Sequence, residues 1–544
     1  MKFAELHKEI SNCYLANDAS VAAYLSCIKG IDQIKGDVPA YVRKLRAAFL
    51  GSFTIQGLAE VYRAQGIFHN LFVEPYTAPY NQFTQQVLAP ASDLYLHDPQ
   101  IVYFIVDTPD IVDDAHVQDL LAILLERTHA HIVLFNFAAS PRSNMATVTA
   151  RNQRFKELYK SNGRISVFDF AAFLDRIGLS EHWYTKYTEL GDFRLSPSAF
   201  PVLAESLLAY GIATAGNTKK CVVLDLDNTL WQGIAGEDGA DGVLPEKEIQ
   251  NYLLALFERG IILAINSKNN EEDALRVIEH HPDMILKKNN FAAWRINWES
   301  KEKNIAELAE ELNLGIESFV FVDDDPFQRE LVRTAYPDIA VIPPERLLSY
   351  PGFHSFAVTE EDKRRGTMYG EERMRRELQK TFRTEEDFIK QLDLHVEIHD
   401  VSEQTVARAS QLTQKTNQFN VTTKRYSEED MKRLIQDGWH IWAINVADRF
   451  GDYGIVGVLM IEPKENEWRV DNFLLSCRVL GRGVEGHVIN HLLKIVAHSH
   501  VRIITAEYRR SAKNQQTEKF WDKNAFTLIS EDKEQRVYHY EFTS

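Results

Sequence analysis

Short apolar runs punctuate the first two thirds of the chain, each ending on polar or turn residues. Ala47-Ala48-Phe49-Leu50 leads into Gly51-Ser52, and Ile101 to Val106 and His131 to Phe135 repeat the pattern. Near-continuous apolar strands of this length, separated by helical segments, are what a parallel sheet covered on both faces requires. Residues 1 to about 40 read as helical. A second series opens with Cys221-Val222-Val223-Leu224 and continues with Ile261 to Ile265 and Phe319 to Val322. Residues 351–390 are highly charged and helical, with glutamates and arginines placed to pair across turns. Beyond them, His440 to Val446 and Tyr453 to Met460 alternate as strands of an antiparallel sheet do. The expected fold is multidomain: an α/β domain over 1–215, a second α/β domain with a parallel sheet over 216–350, a helical linker over 351–390, and an α+β domain over 391–544.

A length of 544 residues agrees with several cores rather than one. The formal charge of −17 argues against nucleic acid or an anionic membrane as partner, since both need a broad cationic surface. Small phosphorylated metabolites stay compatible with it, because a metal and a few local cations offset the global charge. Four cysteines, Cys13, Cys27, Cys221 and Cys477, form no CxxC pair, which fits a reducing compartment. The N-terminal segment lacks the features of a signal peptide, and no apolar run approaches the roughly 20 residues that span a bilayer. A cytoplasmic location is the expectation.

The chemistry concentrates where the second series of strands ends. Asp225-Leu226-Asp227 places two carboxylates on one side of an extended segment. Two such groups repel, so that a cation stabilises one while the environment keeps the other protonated. Asp323 and Asp324 supply further hard oxygen ligands of the kind magnesium prefers. Ser267 can donate to a phosphoryl oxygen, and Lys301 offers a point charge for the transferring group. Taken singly, each has an ordinary reading as a turn, a helix cap or a solvated lysine. Three polar clusters at three strand ends, the place where open parallel sheets bind ligands, make a shared site the stronger one.

At these residues a resemblance is plain. VVLDLDNTL, INSKN, Lys301 and VFVDDDP resemble the four motifs of the haloacid dehalogenase superfamily. The resemblance implies that Asp225 attacks phosphorus, Asp227 protonates the leaving group and then activates water, Ser267 and Lys301 hold the phosphoryl group, and magnesium is bound at Asp225, Asp227, Asp323 and Asp324. Roughly forty residues between the first two motifs leave little room for a large cap domain. The longer strings LDLDNTLWQGIAGEDG, NWESKEKNI, QKTNQFNVTTKRY and FLLSCRVLGRGVE resemble the FkbH-like proteins. That family carries an SGNH-hydrolase-like domain before the phosphatase and a GNAT-like acyltransferase domain after it. It implies removal of phosphate from a three-carbon acid such as 1,3-bisphosphoglycerate, and transfer of a glyceryl-type group to the phosphopantetheine thiol of an acyl carrier protein, or to CoA.

In the C-terminal part, Arg478-Val479-Leu480-Gly481-Arg482-Gly483 is similar to the phosphate-cradling loop of GNAT enzymes, with Arg478, Gly481, Arg482 and Gly483 as binding residues. Cys477 beside it reads either as an acyl relay or as a small core cysteine. Gln414 to Asn420 either lines an acyl site or ends a helix. In the N-terminal part Ser52 and Asn136 stand where an SGNH hydrolase places its nucleophile and oxyanion donor. GSF replaces GDS there, however, and Leu179-Ser180-Glu181-His182 is a poor substitute for DxxH, so a binding or docking module is the favoured reading. Two alternatives stand beside coupled transfer: a stand-alone phosphatase of a sugar or lipid phosphate, and a non-catalytic assembly protein.

Overall fold

The computed structural model describes residues 3–16, 20–34, 36–107, 113–139, 144–160, 162–356, 360–382, 384–416, 418–511 and 514–542. The chain forms two compact units, Met1–Gly370 and Glu371–Ser544.

The first unit holds two five-stranded sheets. Strands β1 (Arg43–Gly51), β2 (Leu71–Thr77), β3 (Ile101–Ile105), β4 (His131–Phe135) and β5 (Ile165–Phe168) pair in parallel in the order β2-β1-β3-β4-β5. After β6 (Cys221–Leu224), a small flap is made from β7 (Trp231–Gln232), a turn of helix and β8 (Leu244–Pro245). With β9 (Ile262–Ser267), β10 (Phe291–Ile296), β11 (Phe319–Val322) and β12 (Ala340–Ile342), β6 builds a second parallel sheet, ordered β10-β9-β6-β11-β12.

Period-2 alternation explains why these short strands are apolar throughout. Val222, Leu224, Leu263, Ile265, Val320 and Val322 enter one apolar core, and Cys221, Val223, Ile262, Ala264, Phe319 and Phe321 enter the other. Helices Lys301–Leu312 and Pro326–Ala335 cover the second face through Ile305, Leu308, Leu312 and Val332. The first core runs on into the N-terminal sheet, joined by the apolar helix Phe200–Thr214. Its one charged residue, Glu205, is buried and accepts from Tyr14 Oη (2.6 Å), Arg346 (3.1 Å) and Ser349 Oγ (3.1 Å). A buried carboxylate needs such partners, and these pin the helix to the segment after β12.

The charged stretch forms helices Glu360–Gln379 and Glu385–Gln391, with ion pairs at helical spacing such as Arg373–Glu377 and Arg375–Glu371. The second unit is a mixed sheet of β13 (His395–Asp400), β14 (Phe419–Asn420), β15 (His440–Asp448), β16 (Gly451–Pro463), β17 (Glu467–Leu475), β18 (Ile503–Arg509), β19 (Thr527–Glu531) and β20 (Gln535–Glu541). All of its pairs are antiparallel except β17 with β18, which run parallel from Glu467↔Ile503 to Val470↔Ala506. Beyond Val470 the two strands part. The gap is bridged by the chain itself: Val421 N donates to Phe473 O (3.0 Å), and Arg509 N donates to Val421 O (2.8 Å). At the turn between β15 and β16, Arg375 is 1% exposed and bonded through two nitrogens to Asp448, at 2.6 and 2.8 Å. Among the described residues, no helix is long and apolar enough to cross a membrane.

Candidate metal and phosphoryl-transfer site

The carboxyl ends of β6, β9 and β11, adjacent in the sheet, bring three of the predicted clusters together. Backbone pairing fixes the approach, since Asp225 N donates to Val322 O at 2.9 Å. One carboxylate oxygen from each of Asp225, Asp323 and Asp324 lies within 4.8 Å of the others. Asp225 and Asp323 are buried, and Asp324 is half-buried. Lys301, the first residue of its helix, is 3% exposed and places Nζ 2.9 Å from Asp225 Oδ1 and 2.5 Å from Asp323 Oδ2. Burial alone would lower the lysine's pKa. The two carboxylates outweigh it and raise the pKa above the usual value, so the side chain is an ammonium. Three hard oxygen donors in a buried, crowded acidic pocket are a donor set suited to magnesium.

The loop after β11 is held from beneath. Arg329 donates to the carbonyls of Asp323 and Asp324, 2.7 Å each, and Asp325 N donates to Asp323 Oδ1 at 2.9 Å. Burial, followed by the charge of Asp225, pushes Asp323 up to about 6, against the opposing pull of Lys301. Asp324 is raised for the same two reasons. A carboxyl that takes up a proton near pH 6 releases a hard cation as the pH falls. Magnesium affinity is therefore expected to be constant above about pH 7 and to fall roughly tenfold per unit below about pH 5.5, once Asp323 is protonated. Calorimetric Mg2+ titrations at pH 7.5 and 5.0 check it; equal affinities at both would disprove it.

Asp227, expected among the metal ligands, does not join this group. Its Oδ1 accepts from Trp231 Nε1 (2.9 Å) and Ala235 N (3.1 Å), and its Oδ2 accepts from Asn269 Nδ2 (2.9 Å). The flap after β6 supplies the first two donors and so turns the carboxylate away from the cluster. Burial raises its pKa even against these three donors. Ser267 is buried at the end of β9.

Trp231, Asn269, Arg329 and the buried asparagines Asn266 and Asn304 do not stand out as site residues in the sequence. The only signal for them is position, within a few residues of a motif aspartate, serine or lysine.

In the second unit, Gly481 (φ 74°) and Gly483 (φ 80°) both lie in the left-handed region, and Gly483 opens the helix Val484–Ala497. That region of backbone conformation favours glycine. The loop is closed on its own chain, however: Gly481 N donates to Glu485 Oε1 (3.1 Å), and Arg482 pairs with Glu372 (2.8 Å) and the Tyr453 hydroxyl. Arg478 is turned to Ser476 Oγ, with Nε 3.2 Å away. The backbone of Cys477 begins the turn Cys477–Val479, and its side chain lies outside the described residues. Gln414 and Asn420 donate to Tyr426 O (3.2 Å) and Thr416 O (3.2 Å), which orders the loop after the helix; Asn417 lies outside the described residues.

In the N-terminal sheet Ser52 is buried after β1, and its Oγ accepts from Asp107 N at 3.0 Å. His182 contacts Ser198 Oγ at 3.4 Å, and among the described residues no histidine is bonded to Ser52. Asn136 is committed to Asp169 Oδ1 (2.7 Å) and Ala171 N (2.9 Å), which join β4 to the helix after β5.

No protein-family model and no curated protein matches the chain. Solved structures do. The N-terminal part of a Bacteroides fragilis protein, containing a phosphatase domain complexed with Mg, is similar over 66% of this chain and 100% of its own, with 25% identity and a TM-score of 0.51. The ribosomal-protein-S18-alanine N-acetyltransferase of Escherichia coli aligns over 28% of this chain and 96% of its own, with 11% identity and a TM-score of 0.23. Ard1 of Thermoplasma volcanium covers 27% of this chain and 99% of its own, at 14% identity and a TM-score of 0.23. Scores as low as the last two carry no weight, and the second unit is described by its own strand order.

Proposed function

We propose that the chain is a magnesium-dependent phosphatase of the haloacid dehalogenase type, coupled in one polypeptide to acyl transfer onto a carrier-protein thiol. The observation that carries the phosphatase reading is the convergence of Asp225, Asp323, Asp324 and Lys301 at adjoining strand ends. The similarity to a phosphatase domain crystallised with Mg supports it. Asp225 attacks phosphorus and forms an aspartyl-phosphate, while Asp227 gives its proton to the departing oxygen. Asp227 then takes a proton from the water that hydrolyses the intermediate. Lys301 and Ser267 hold the phosphoryl oxygens. Asp225, Asp323 and Asp324 would hold the magnesium ion, which would supply positive charge for the phosphoryl oxygens.

The acyl half of the reading rests on the resemblance to FkbH-like proteins and on the Cys477–Gly483 loop before a helix. The donor is a phosphorylated three-carbon acid such as 1,3-bisphosphoglycerate. The Cys477 thiolate displaces the phosphate on its acyl carbon, the remaining phosphate ester is hydrolysed at Asp225, and the glyceryl-type group passes to the phosphopantetheine thiol of an acyl carrier protein, which regenerates Cys477. The N-terminal domain, with Ser52 lacking a bonded base, serves for binding rather than hydrolysis.

One feature favours a second reading, a phosphatase with scaffold domains: the engagement of Gly481 and Arg482 by Glu485 and Glu372. Intact-protein mass after incubation with bisphosphoglycerate and carrier proteins separates the two. The expected result is a glyceryl-type adduct on a carrier, lost in Cys477→Ala while phosphate release from a simple ester persists. Phosphate release with no adduct on any carrier would leave the second reading standing.

A further inference from the structure

Three amides, two buried and one half-buried, connect the end of β9 to the helix that carries Lys301. Asn266, fully buried one residue before Ser267, donates from Nδ2 to the Lys301 carbonyl at 2.9 Å. Its Oδ1 accepts from Asn304 Nδ2 at 3.0 Å. Asn304 is 1% exposed and lies one turn along the helix from Lys301. The same Nδ2 reaches Asn297 Oδ1 at 3.0 Å, and Asn297 Nδ2 returns to Asn304 Oδ1 at 3.3 Å. Asn297 is itself tied to β9, since its backbone N donates to Ser267 O at 3.1 Å.

From this geometry we propose that Asn266, Asn297 and Asn304 are positioning residues that set the reach of Lys301 into the carboxylate cluster, an inference that rests on the phosphatase reading. The lysine is the first residue of its helix, so its ammonium is only as well placed as the helix start. The start has no side-chain cap at Ser300. The amide relay fixes the start from the side of the sheet instead, tying the Lys301 carbonyl to the strand that ends in Ser267. Amides suit the task because each offers both a donor and acceptors and adds no charge near three carboxylates and an ammonium. A carboxylate in place of Asn304 would compete for the ammonium, and an apolar residue would leave the buried Asn266 Oδ1 without its donor. The relay's side-chain bonds reach the Lys301 carbonyl and none of Asp225, Asp323 and Asp324, so it acts on the carboxylate cluster through Lys301.

The test is a cycle on the full-length protein with p-nitrophenyl phosphate and Mg2+. Asn304→Ala is expected to lower kcat about tenfold or more per folded molecule, with KM within about twofold, as displacement of a charge-stabilising group by a fraction of an ångström does. In a Lys301→Ala background the same substitution is expected to add no further loss. Calorimetric titration with inorganic phosphate and Mg2+ runs the same cycle on binding, for variants too slow to assay. If Asn304→Ala fails to fold, Asn297→Ala, at a half-buried position, cuts the relay from the other side. A lower melting temperature with unchanged kcat, or losses that add in the double variant, would overturn the inference. A wild-type chain inert toward both p-nitrophenyl phosphate and bisphosphoglycerate would overturn the phosphatase reading instead, and the phosphate titration would still decide the positioning role.

Discussion

Asp225→Asn is expected to reduce phosphate release by about 10³-fold or more, the scale on which removal of a nucleophile acts elsewhere. The amide has nearly the same shape, so the variant keeps an oxygen for Lys301, which sits 2.9 Å from Asp225 Oδ1 in the wild type. What is lost is the oxygen that the proposed mechanism uses as nucleophile and one of the charges in the three-carboxylate group. Relief of that crowding means that the melting temperature should hold or rise in the absence of magnesium. Released phosphate and a thermal melt, measured on the same preparation, give both halves of the result. Turnover within tenfold of wild type would show that another group attacks phosphorus. A non-catalytic assembly protein would show no turnover in the wild type either, so the pair of proteins also separates that alternative.

Lys301→Met has the second large effect, and it divides between stability and rate. The ammonium is nearly inaccessible and lies between two carboxylates that are themselves buried. Removing one partner of a buried ion pair leaves uncompensated charge and typically costs about 3–5 kcal/mol. Part of that cost is relieved as Asp323, already pushed up to about 6, takes up a proton more readily. Magnesium is also a cation for the same oxygens, so it should restore more stability to the variant than to the wild type. The expected observation is a melting temperature several degrees below wild type in EDTA, with a larger upward shift on adding Mg2+. Activity should fall about 10²-fold or more even at saturating Mg2+, on the scale of losing one preorganised charge-stabilising group. Equal Mg2+-induced shifts in the two proteins would mean that the lysine and the metal do not share ligands.

The amide relay and the lysine together illustrate how the site is supported. Lys301 and Ser267 stand at the ends of separate elements, and their separation depends on joints made by Asn266, Asn297 and Asn304. The aspartate loop has its own brace in Arg329, which grips two consecutive carbonyls. Each brace is buried or half-buried and reaches its partner through a side chain rather than through regular secondary structure. Such supports are what hold catalytic groups to within a fraction of an ångström.

Much of this architecture is legible in the chain alone. Runs such as Cys221 to Leu224 and Phe319 to Val322 must be buried on both faces, and a backbone buried on both faces satisfies its hydrogen bonds as a parallel sheet. The polar residues that end those runs then fall along one edge, which places Asp225, Ser267 and Asp323 together before any coordinate is known. The turn at Gly481 and Gly483 before a helix was likewise legible as a glycine loop, although its left-handed backbone is read from the structure. These are local properties, set by periodicity and by single-residue conformational limits.

The choice of partner is not local, and the tertiary structure alone decided it. Asp227 lies two residues from Asp225, yet the flap and Asn269 turn its carboxylate out of the metal group. Arg482 lies in a loop with the motif of a phosphate binder, yet its guanidinium meets Glu372, 110 residues away in sequence. Ser52 ends a strand as a nucleophile would, and only packing shows its hydroxyl accepting from Asp107 N instead of facing a histidine. A side chain's hydrogen bonds depend on which distant residue packing brings within about 3 Å, and the pattern of apolar and polar positions carries no record of that distance.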